Sequence, residues 1–517
     1  MNNINSNSKE NSSVIRNEIV SIGKNSLIYF IGQALSRAVG FFMIPLYTHY
    51  ISPANYGSME MIEIIAGAIG MILAMGVGDS MPRFYYEEKD QESRNKVVST
   101  IILGLSIINI PLVLIFLLFS KFLSIVILDE AYYQYLLQVS IISIWFSMLC
   151  EVGYTYLRMR YMAKTFVILT MIQLFAALFL NIYFIVYLKL DILGIFYSTI
   201  ITQGLTGLFL AGSILRKTGL KISFSLLRKL VIFGLPVIPS RVTTMLGFVS
   251  NRFFLRWMAS PDPVIALAQV GLFSLGHKFG VIINRFVTVP FNSFWGPRRL
   301  ELIVNNLPQS RETVARVCTY ATLLTLYFAL LLSAGIENLI EIIADPGYKG
   351  AHLVVPFVAL SYVALGLETH FSTGILVSRK TKWLTYVSLI SISVVLLWNF
   401  IFIPRFGLYG AATSNLAGFI FRLGFIYLIS QRLYYVPFEL KRLAILFFTA
   451  LIVYVLSQFI EFQSVYLTFL LRSAFVLFYP LFLFILRFYS HGEISFLIKN
   501  FDNIKKLRLL SFLKWSG

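Results

Sequence analysis

Four cations in this chain sit in apolar surroundings where a charge needs a reason. Arg37 lies near the middle of Ser26–Tyr50, "SLIYFIGQALSRAVGFFMIPLYTHY", with Gln33 four residues before it and Gly40 three after, on one helical face. Arg241 shares a face with Thr244 and Arg252 in a later apolar stretch. Lys278 and Arg285 lie in the next stretch, with His277 beside the lysine. A charge at the depth of lipid tails costs about 2.5–3.5 kcal/mol on insertion scales, so such residues face a wet cavity, a bundle interior or a partner. Carboxylates recur in similar settings: Glu60, Glu63 and Asp79 in the second apolar stretch, Glu151 in the fourth, and Glu368, with His370 two residues on, in the tenth. Two chemistries follow. A cavity with excess positive charge takes an anion, and arginine favours phosphate because its guanidinium makes two parallel hydrogen bonds. A carboxylate or imidazole in a buried setting can exchange a proton near neutral pH. The plainer alternative is an ion pair inside the membrane between these cations and Glu151 or Glu368. Arg252 and Arg256 lie near an outer end, where reaching for lipid headgroups is an equal alternative.

The elements that carry these residues are membrane spans. The 517 residues are 58% hydrophobic and 13% charged, with a mean hydropathy of +0.78. A soluble protein of this length would carry far more charge. Apolar runs of twenty or so residues recur throughout. They place about fourteen spans, at 26–48, 58–81, 97–119, 133–157, 165–187, 191–214, 229–254, 264–293, 317–335, 352–377, 383–403, 407–430, 440–460 and 464–486. The first 25 residues are polar, lack the apolar core of a signal peptide and read as a cytoplasmic tail. The two cysteines, Cys150 and Cys318, fall inside spans, which speaks against a disulfide framework or a zinc site.

A net charge of +19 invites a nucleic-acid reading. Its distribution opposes one. With the N-terminus inside, the basic residues gather in alternate connections, such as Arg158 to Lys164, Arg216 to Lys229, Arg298 to Arg316 and Arg379 to Lys382. The opposite connections hold little beyond Lys121, Lys189, Arg256, Lys349 and Arg405. That is the charge bias of cytoplasmic loops, and it puts both termini in the cytoplasm. Spread over short loops, the charge makes no single patch for nucleic acid.

An internal repeat divides the spans. Gly57 and Pro82-Arg83 in the second span correspond to Gly271 and Pro297-Arg298 in the eighth. Asn181 followed by Gly194 and Ser198 corresponds to Asn399 followed by Gly410 and Ser414. Both correspondences are six spans apart, an even number, so the halves insert the same way up and their axis runs along the membrane normal. The fold expected is an all-α integral membrane protein. Two six-helix lobes, 26–221 and 222–431, are related by a pseudo-two-fold and followed by two further spans in 432–487 and a tail, 488–517. In the tail Leu497, Phe501 and Ile504 share one helical face, while Lys505, Lys506 and Arg508 suit anionic lipid on the inner leaflet.

The segments "SRAVGFFMIPLYTHYISPANYGSMEM", "EVGYTYLRMRYMAKTFVILTMIQ" (Glu151–Gln173) and "GLYGAATSNLAG" (Gly407–Gly418) resemble bacterial polysaccharide flippases of the Wzx type. These belong to the multidrug/oligosaccharidyl-lipid/polysaccharide exporter superfamily. The resemblance covers the first twelve spans. It implies alternating access by two lobes, residence in the bacterial cytoplasmic membrane and an undecaprenyl-diphosphate-linked oligosaccharide as cargo, carried outward for cell-surface polysaccharide synthesis. Glycosyltransferases or a polymerase of the same pathway are the protein partners it implies. Fourteen spans are also similar to lipid II flippases, which hold the diphosphate with cavity arginines; the resemblance carries that role to Arg37 and then Arg241. Some relatives bind sodium between the seventh, eleventh and twelfth spans, where this chain has Asn399, Thr413 and Ser414 but no carboxylate. No cofactor is expected, and membrane potential or protons through Glu60, Glu63, Glu151 or Glu368 are the candidate energy sources. A multidrug exporter of the same superfamily is the nearer rival, and an arginine-rich cavity opposes its cationic cargo. A membrane polymerase is a weaker one, because the longest outer connection, around Glu337 to Gly350, is too short to fold as a catalytic domain.

Overall fold

The computed structural model describes residues 43–305, 307–490 and 492–494. Arg37, Gln33 and the expected N-terminal tail lie outside the described residues, as does the basic segment from residue 495 onward. All regular structure among the described residues is helical. Twelve helices are long and apolar enough to cross a membrane, and they correspond to twelve of the fourteen expected spans. The other two are the first, of which only the helical residues 43–50 are described, and the arginine-bearing seventh. Large apolar side chains such as Leu118, Phe175, Phe179, Leu205 and Leu470 are exposed, as suits a surface whose solvent is lipid.

The chain falls into two compact units, one drawn from Met1–Ser274, Ile343–Tyr348 and Trp398–Ala411, the other from Leu275–Ile342, Lys349–Leu397 and Ala412–Gly517. This grouping differs from the division at residues 221 and 431 suggested by the repeat. The seventh span packs with the first half, and the last two spans pack with the ninth and tenth, because long helices contribute their two ends to different packing groups.

In the first unit α1 (Pro53–Ala74) starts with Ser52, whose hydroxyl accepts the Asn55 N–H at 3.2 Å, and with Pro53 in the first turn. It stops where Met75 and Gly76 both adopt left-handed backbone, φ 46° and 65°, and α2 (Val77–Glu87) resumes beyond. The second span is therefore broken. Next come α3 (Gln91–Leu128), capped by Asp90, α4 (Gln134–Met159), α5 (Ala163–Ile182) with a π-helical turn at Tyr183–Tyr187, and α6 (Ile192–Thr218). Close packing of α4 on α6 uses glycine: a Cβ on Gly207 would lie 2.8 Å from the Phe146 carbonyl oxygen. The expected seventh span is two helices, α7 (Phe224–Gly234) and α8 (Val237–Met258). Pro236 between them has no N–H to continue the ladder. The two breaks touch, since a Cβ on Gly76 would lie 2.6 Å from the Gly234 carbonyl oxygen.

α9 (Pro263–Gly280) leads into the second unit. A π-helical turn at Asn284–Thr288 joins it to α10 (Val289–Val304). There follow α11 (Ser310–Ile343), α12 (Val355–Phe371), the short α13 (Thr373–Val377), α14 (Lys382–Phe406), α15 (Leu408–Leu433), α16 (Leu440–Gln458), α17 (Val465–Leu477) and α18 (Tyr479–Ile485). Leu326, Ala329, Leu330 and Ala334 form a stripe on α11 that packs in one core with Ala359, Val363 and Leu367 of α12, Leu446, Ala450 and Val453 of α16, and Tyr479 and Leu483 of α18. Lipid gives helices no hydrophobic reason to associate, so small residues and polar ties carry the packing. Gly335 of α11 meets the Phe469 ring of α17 at 2.8 Å. Polar ties hold the last spans to α11 at both ends. At one, the buried Arg472 donates to Glu337 Oε2 (3.1 Å), Asn338 Oδ1 (3.3 Å) and the Ile460 carbonyl (3.0 Å). At the other, Arg442 donates to Glu439 (2.9 Å), to both carboxylate oxygens of Glu493 (3.2 and 3.0 Å) and to the Tyr320 hydroxyl (3.3 Å).

The repeat is visible as contacts. In the first unit, α1 and α9 cross with no side chain between them. A Cβ on Gly57 would overlap the Leu267 carbonyl oxygen, and a Cβ on Gly271 would overlap that of Pro53. Each glycine thus sits on the carbonyl four residues before the other, which is the reciprocity a two-fold axis imposes. The second correspondence holds as well. Gly194 packs on Phe184 and Gly410 on Phe402, three residues after the buried Asn181 and Asn399.

Two outcomes follow. Gly57→Val and Gly271→Val should each lower the melting temperature of the purified protein, with overpacking costs of roughly 1–3 kcal/mol or more; a thermal melt in detergent that leaves either unchanged would remove the crossing. Glu493 is held at about 2 rather than 4.5: burial opposes its charge, but the Ser490 N–H, the Tyr320 and Ser490 hydroxyls and Arg442 outweigh that. A depressed carboxyl contributes stability above its unfolded value and loses it as pH falls through the folded one. The gap in melting temperature between wild type and Glu493→Gln should therefore be widest near neutral pH and close as pH drops from 4.5 towards 2.

Candidate functional site: charges inside the spans

Arg241 and Arg285 are exposed, and Lys278 is half-buried. The break at Pro236 starts α8 afresh and so sets the face on which Arg241 emerges. Lys278 follows His277, whose ring lies 3.4 Å from the Tyr362 hydroxyl. Arg285 sits in the π-helical turn, a local widening of the kind often found at functional positions. Its guanidinium makes no hydrogen bond or ion pair.

The acidic candidates separate by environment. Glu60 is buried within α1, and Glu63 one turn later is exposed. Glu151 is exposed on α4 and has no hydrogen bond or ion pair. Glu368 is buried and pairs with Arg422 of α15 at 2.9 Å. The intramembrane ion pair considered for Glu368 therefore exists, but its partner is Arg422 rather than Arg241, Lys278 or Arg285. His370 is 2% exposed, its ring 6.0 Å from that of Phe291. Its Nδ1 lacks a partner, as does the Thr288 hydroxyl, and both residues line a small closed cavity with Asn292, Thr322 and Thr325.

Other deep arginines serve packing. Arg252 donates to the Ser274 hydroxyl at 3.1 Å and the Phe248 carbonyl at 3.3 Å, over the Phe273 ring. Arg256 donates to Asp129 at 2.7 Å and the Leu128 carbonyl at 2.8 Å. Neither reaches for headgroups; both are buried. Arg299, read from sequence as a loop charge, is buried on α10 and donates to the Thr369 carbonyl. Its signal was slight: only the apolar residues after it, Leu300 to Val304, show that the helix continues. Asn399 donates to Ser250 at 3.3 Å, which brings α14 to α8. Among the described residues no three His, Cys, Asp or Glu side chains converge as metal ligands would.

The second unit also has an open cleft of about 520 Å³ between α10 and α11. Gln309, Glu312 and Arg316 line one part of it, and Val317, Leu324 and Phe291 another. That grades from polar to apolar along the first four turns of α11, a surface fitted to an amphiphile.

The stretch holding Arg37, Arg241, Lys278 and Arg285 is also where a family model fits. The polysaccharide biosynthesis protein family matches residues 22–299, just over half of the chain. The chain belongs to this family. No curated protein matches it by sequence. Among solved structures, this family member is similar to the lipid II flippase MurJ in an inward closed conformation, with a TM-score of 0.68 at 15% identity over 89% of this chain and 99% of that one. An inward-facing multidrug resistance MATE transporter matches with a TM-score of 0.55 at 16% identity, over 78% and 97%. A variant of the Vibrio cholerae MATE transporter VcmN gives 0.53 at 16%, over 80% and 96%. Likeness at these identities shows the fold, which is that of the exporter superfamily named from the sequence. The protein is a multi-pass membrane protein of polysaccharide biosynthesis.

The Glu368–Arg422 pair has a measurable weight. Removing one partner of a buried pair costs about 3–5 kcal/mol, whereas an apolar replacement of both is often neutral. Arg422→Ala should strongly destabilise the purified protein, and Glu368→Leu with Arg422→Met should recover most of the loss in a thermal melt.

Proposed function

We propose that this protein is a flippase. It carries an undecaprenyl-diphosphate-linked oligosaccharide from the inner to the outer leaflet of the bacterial cytoplasmic membrane by alternating access, with both termini in the cytoplasm. The observation that supports this best is Arg285, exposed and unpaired at a π-helical turn inside the family-matched region. The other deep arginines described above are satisfied by protein acceptors, so this one is available to a passenger. Arg241, Lys278 and Arg37 add positive charge in the same region. A diphosphate is the group these side chains suit, since each guanidinium can chelate two phosphate oxygens.

The saccharide and diphosphate enter the protein while the polyprenyl tail stays in lipid. Cations offset the diphosphate charge, and a change between inward and outward access delivers the headgroup to the far side. No covalent bond is made or broken. Membrane potential, worth about 2.3 kcal/mol per charge per 100 mV, favours outward movement of a net-anionic complex when the interior is negative. Glycosyltransferases and a polymerase of the same pathway supply and consume the cargo. A lipid II cargo fits the same chemistry, and MurJ is named for it. The MATE likeness favours drug export as the second reading, but exposed arginines repel the organic cations such exporters carry.

Mass spectrometry of lipid-linked sugars in cells lacking the protein, with an outer-face probe to assign leaflets, tests the proposal. One undecaprenyl-diphosphate oligosaccharide should accumulate on the inner leaflet and be released by wild type. Arg285→Ala and Arg37→Ala should each weaken release roughly tenfold or more, the worth of a hydrogen bond to a charged group at about 1.5–3 kcal/mol. An unchanged pool would reject the flippase in favour of drug export.

A further inference from the structure

Of the four glutamates at depth, Glu368 is paired with Arg422, and Glu60 and Glu63 also have interactions of their own. Glu151 has none among the described residues, yet it is closely seated. Its Oε1 lies 3.1 Å from where a Cβ on Gly78 would be, so the carboxylate occupies space that any other residue at 78 would take. Gly78 is the second residue of α2, and the first amides of a helix have no acceptor within it. No side chain of Gly76, the residue before α2, caps them. A negative charge near this end is favoured by the helix dipole.

The same place is the joint of a broken span. Met75, a residue with a full side chain, is held at φ 46°, a conformation that persists only when its surroundings enforce it. On one side the enforcing contact is Gly234, whose Cβ would overlap the Met75 carbonyl oxygen. Beside the first turn of α2 is Glu151. Both contacts lie in the first unit. The small cavity at the joint is otherwise lined by Ala74 of α1, Val77 and Met81 of α2, Leu105 of α3, and Met148 and Thr155 of α4. The charged groups near it are few. Arg158, on α4, donates to Thr155 at 2.8 Å, and Asp79 follows Gly78 in α2.

We propose that Glu151 is the proton-binding group of this transporter and that its ionised carboxylate holds the second span in its broken form. A proton from water adds to a carboxylate oxygen, the charge facing the α2 amides disappears, and the joint at Met75–Gly76 is released towards a continuous helix. Loss of the proton to water restores the break. Since Gly76 abuts Gly234, the change reaches the joint between α7 and α8, directly before Arg241. The coupling role rests on the flippase reading; the hold of the charge on the joint does not.

Hydrogen–deuterium exchange of the full-length protein in nanodiscs reads the joint directly. Glu151→Gln should speed exchange of the amides from Val77 to Ser80 several-fold while the α3 peptide around Leu105 keeps its protection. Acidification should give wild type the same pattern, after correction for intrinsic rates, and should change nothing further in Glu151→Gln; Glu151→Asp should restore the pH response. Gly78→Ala, which crowds the carboxylate off its seat with Glu151 intact, should reproduce the fast exchange and decides the matter if Glu151→Gln loses protection throughout. Unaltered exchange in Gly78→Ala, or equal acid responses in wild type and Glu151→Gln, overturns the proposal. Flipping that ignores a proton gradient at fixed potential, in a protein whose joint does respond, overturns the coupling half alone.

Discussion

The architecture depends on a place where two helices meet without side chains. Gly57 and Gly271 let α1 and α9 approach until each glycine lies on the other's preceding turn. In lipid this is a strong constraint, because dispersion and close backbone approach replace the hydrophobic drive that holds soluble bundles. Nothing larger than hydrogen fits at either position. The reciprocity of the contact is what makes two stretches six spans apart equivalent in space as well as in sequence.

That part of the fold was legible in the sequence because it depends on spacing. Glycine, asparagine and proline recur at matched intervals, and the intervals survive folding as Gly194 on Phe184 and Gly410 on Phe402. The breaks were harder to see. Gly76 and Pro236 were in plain view, but apolar runs continue through both, and hydropathy averaged over a span does not register one left-handed residue such as Met75. The grouping into two units was not legible at all. It depends on which ends of long helices pack together, and sequence order says nothing of that.

Charge showed the same division. That the chain keeps arginines and glutamates at depth was evident from residue types alone. Which of them are satisfied was not, because the partners come from remote elements: Asp129 for Arg256, Ser274 for Arg252, Glu368 for Arg422. Long side chains near a span end look like headgroup-seekers until the acceptor is seen. What the structure adds to the candidate site is therefore subtraction. Once the arginines engaged in packing are set aside, Arg285 remains without an acceptor of its own and Glu151 is the corresponding carboxylate, each beside an irregular turn of its unit.

The last two spans are bound into the second unit at both ends, by Arg472 on Glu337 and by Arg442 between Glu439 and Glu493. A shorter relative that stopped after α15 would turn the α11 stripe, the notch at Gly335 and an unneutralised Glu337 towards acyl chains. Gaining or losing this pair in descent therefore requires simultaneous changes on an older helix, so the number of spans in such proteins is recorded on the surface of the ninth as well as at the end of the chain.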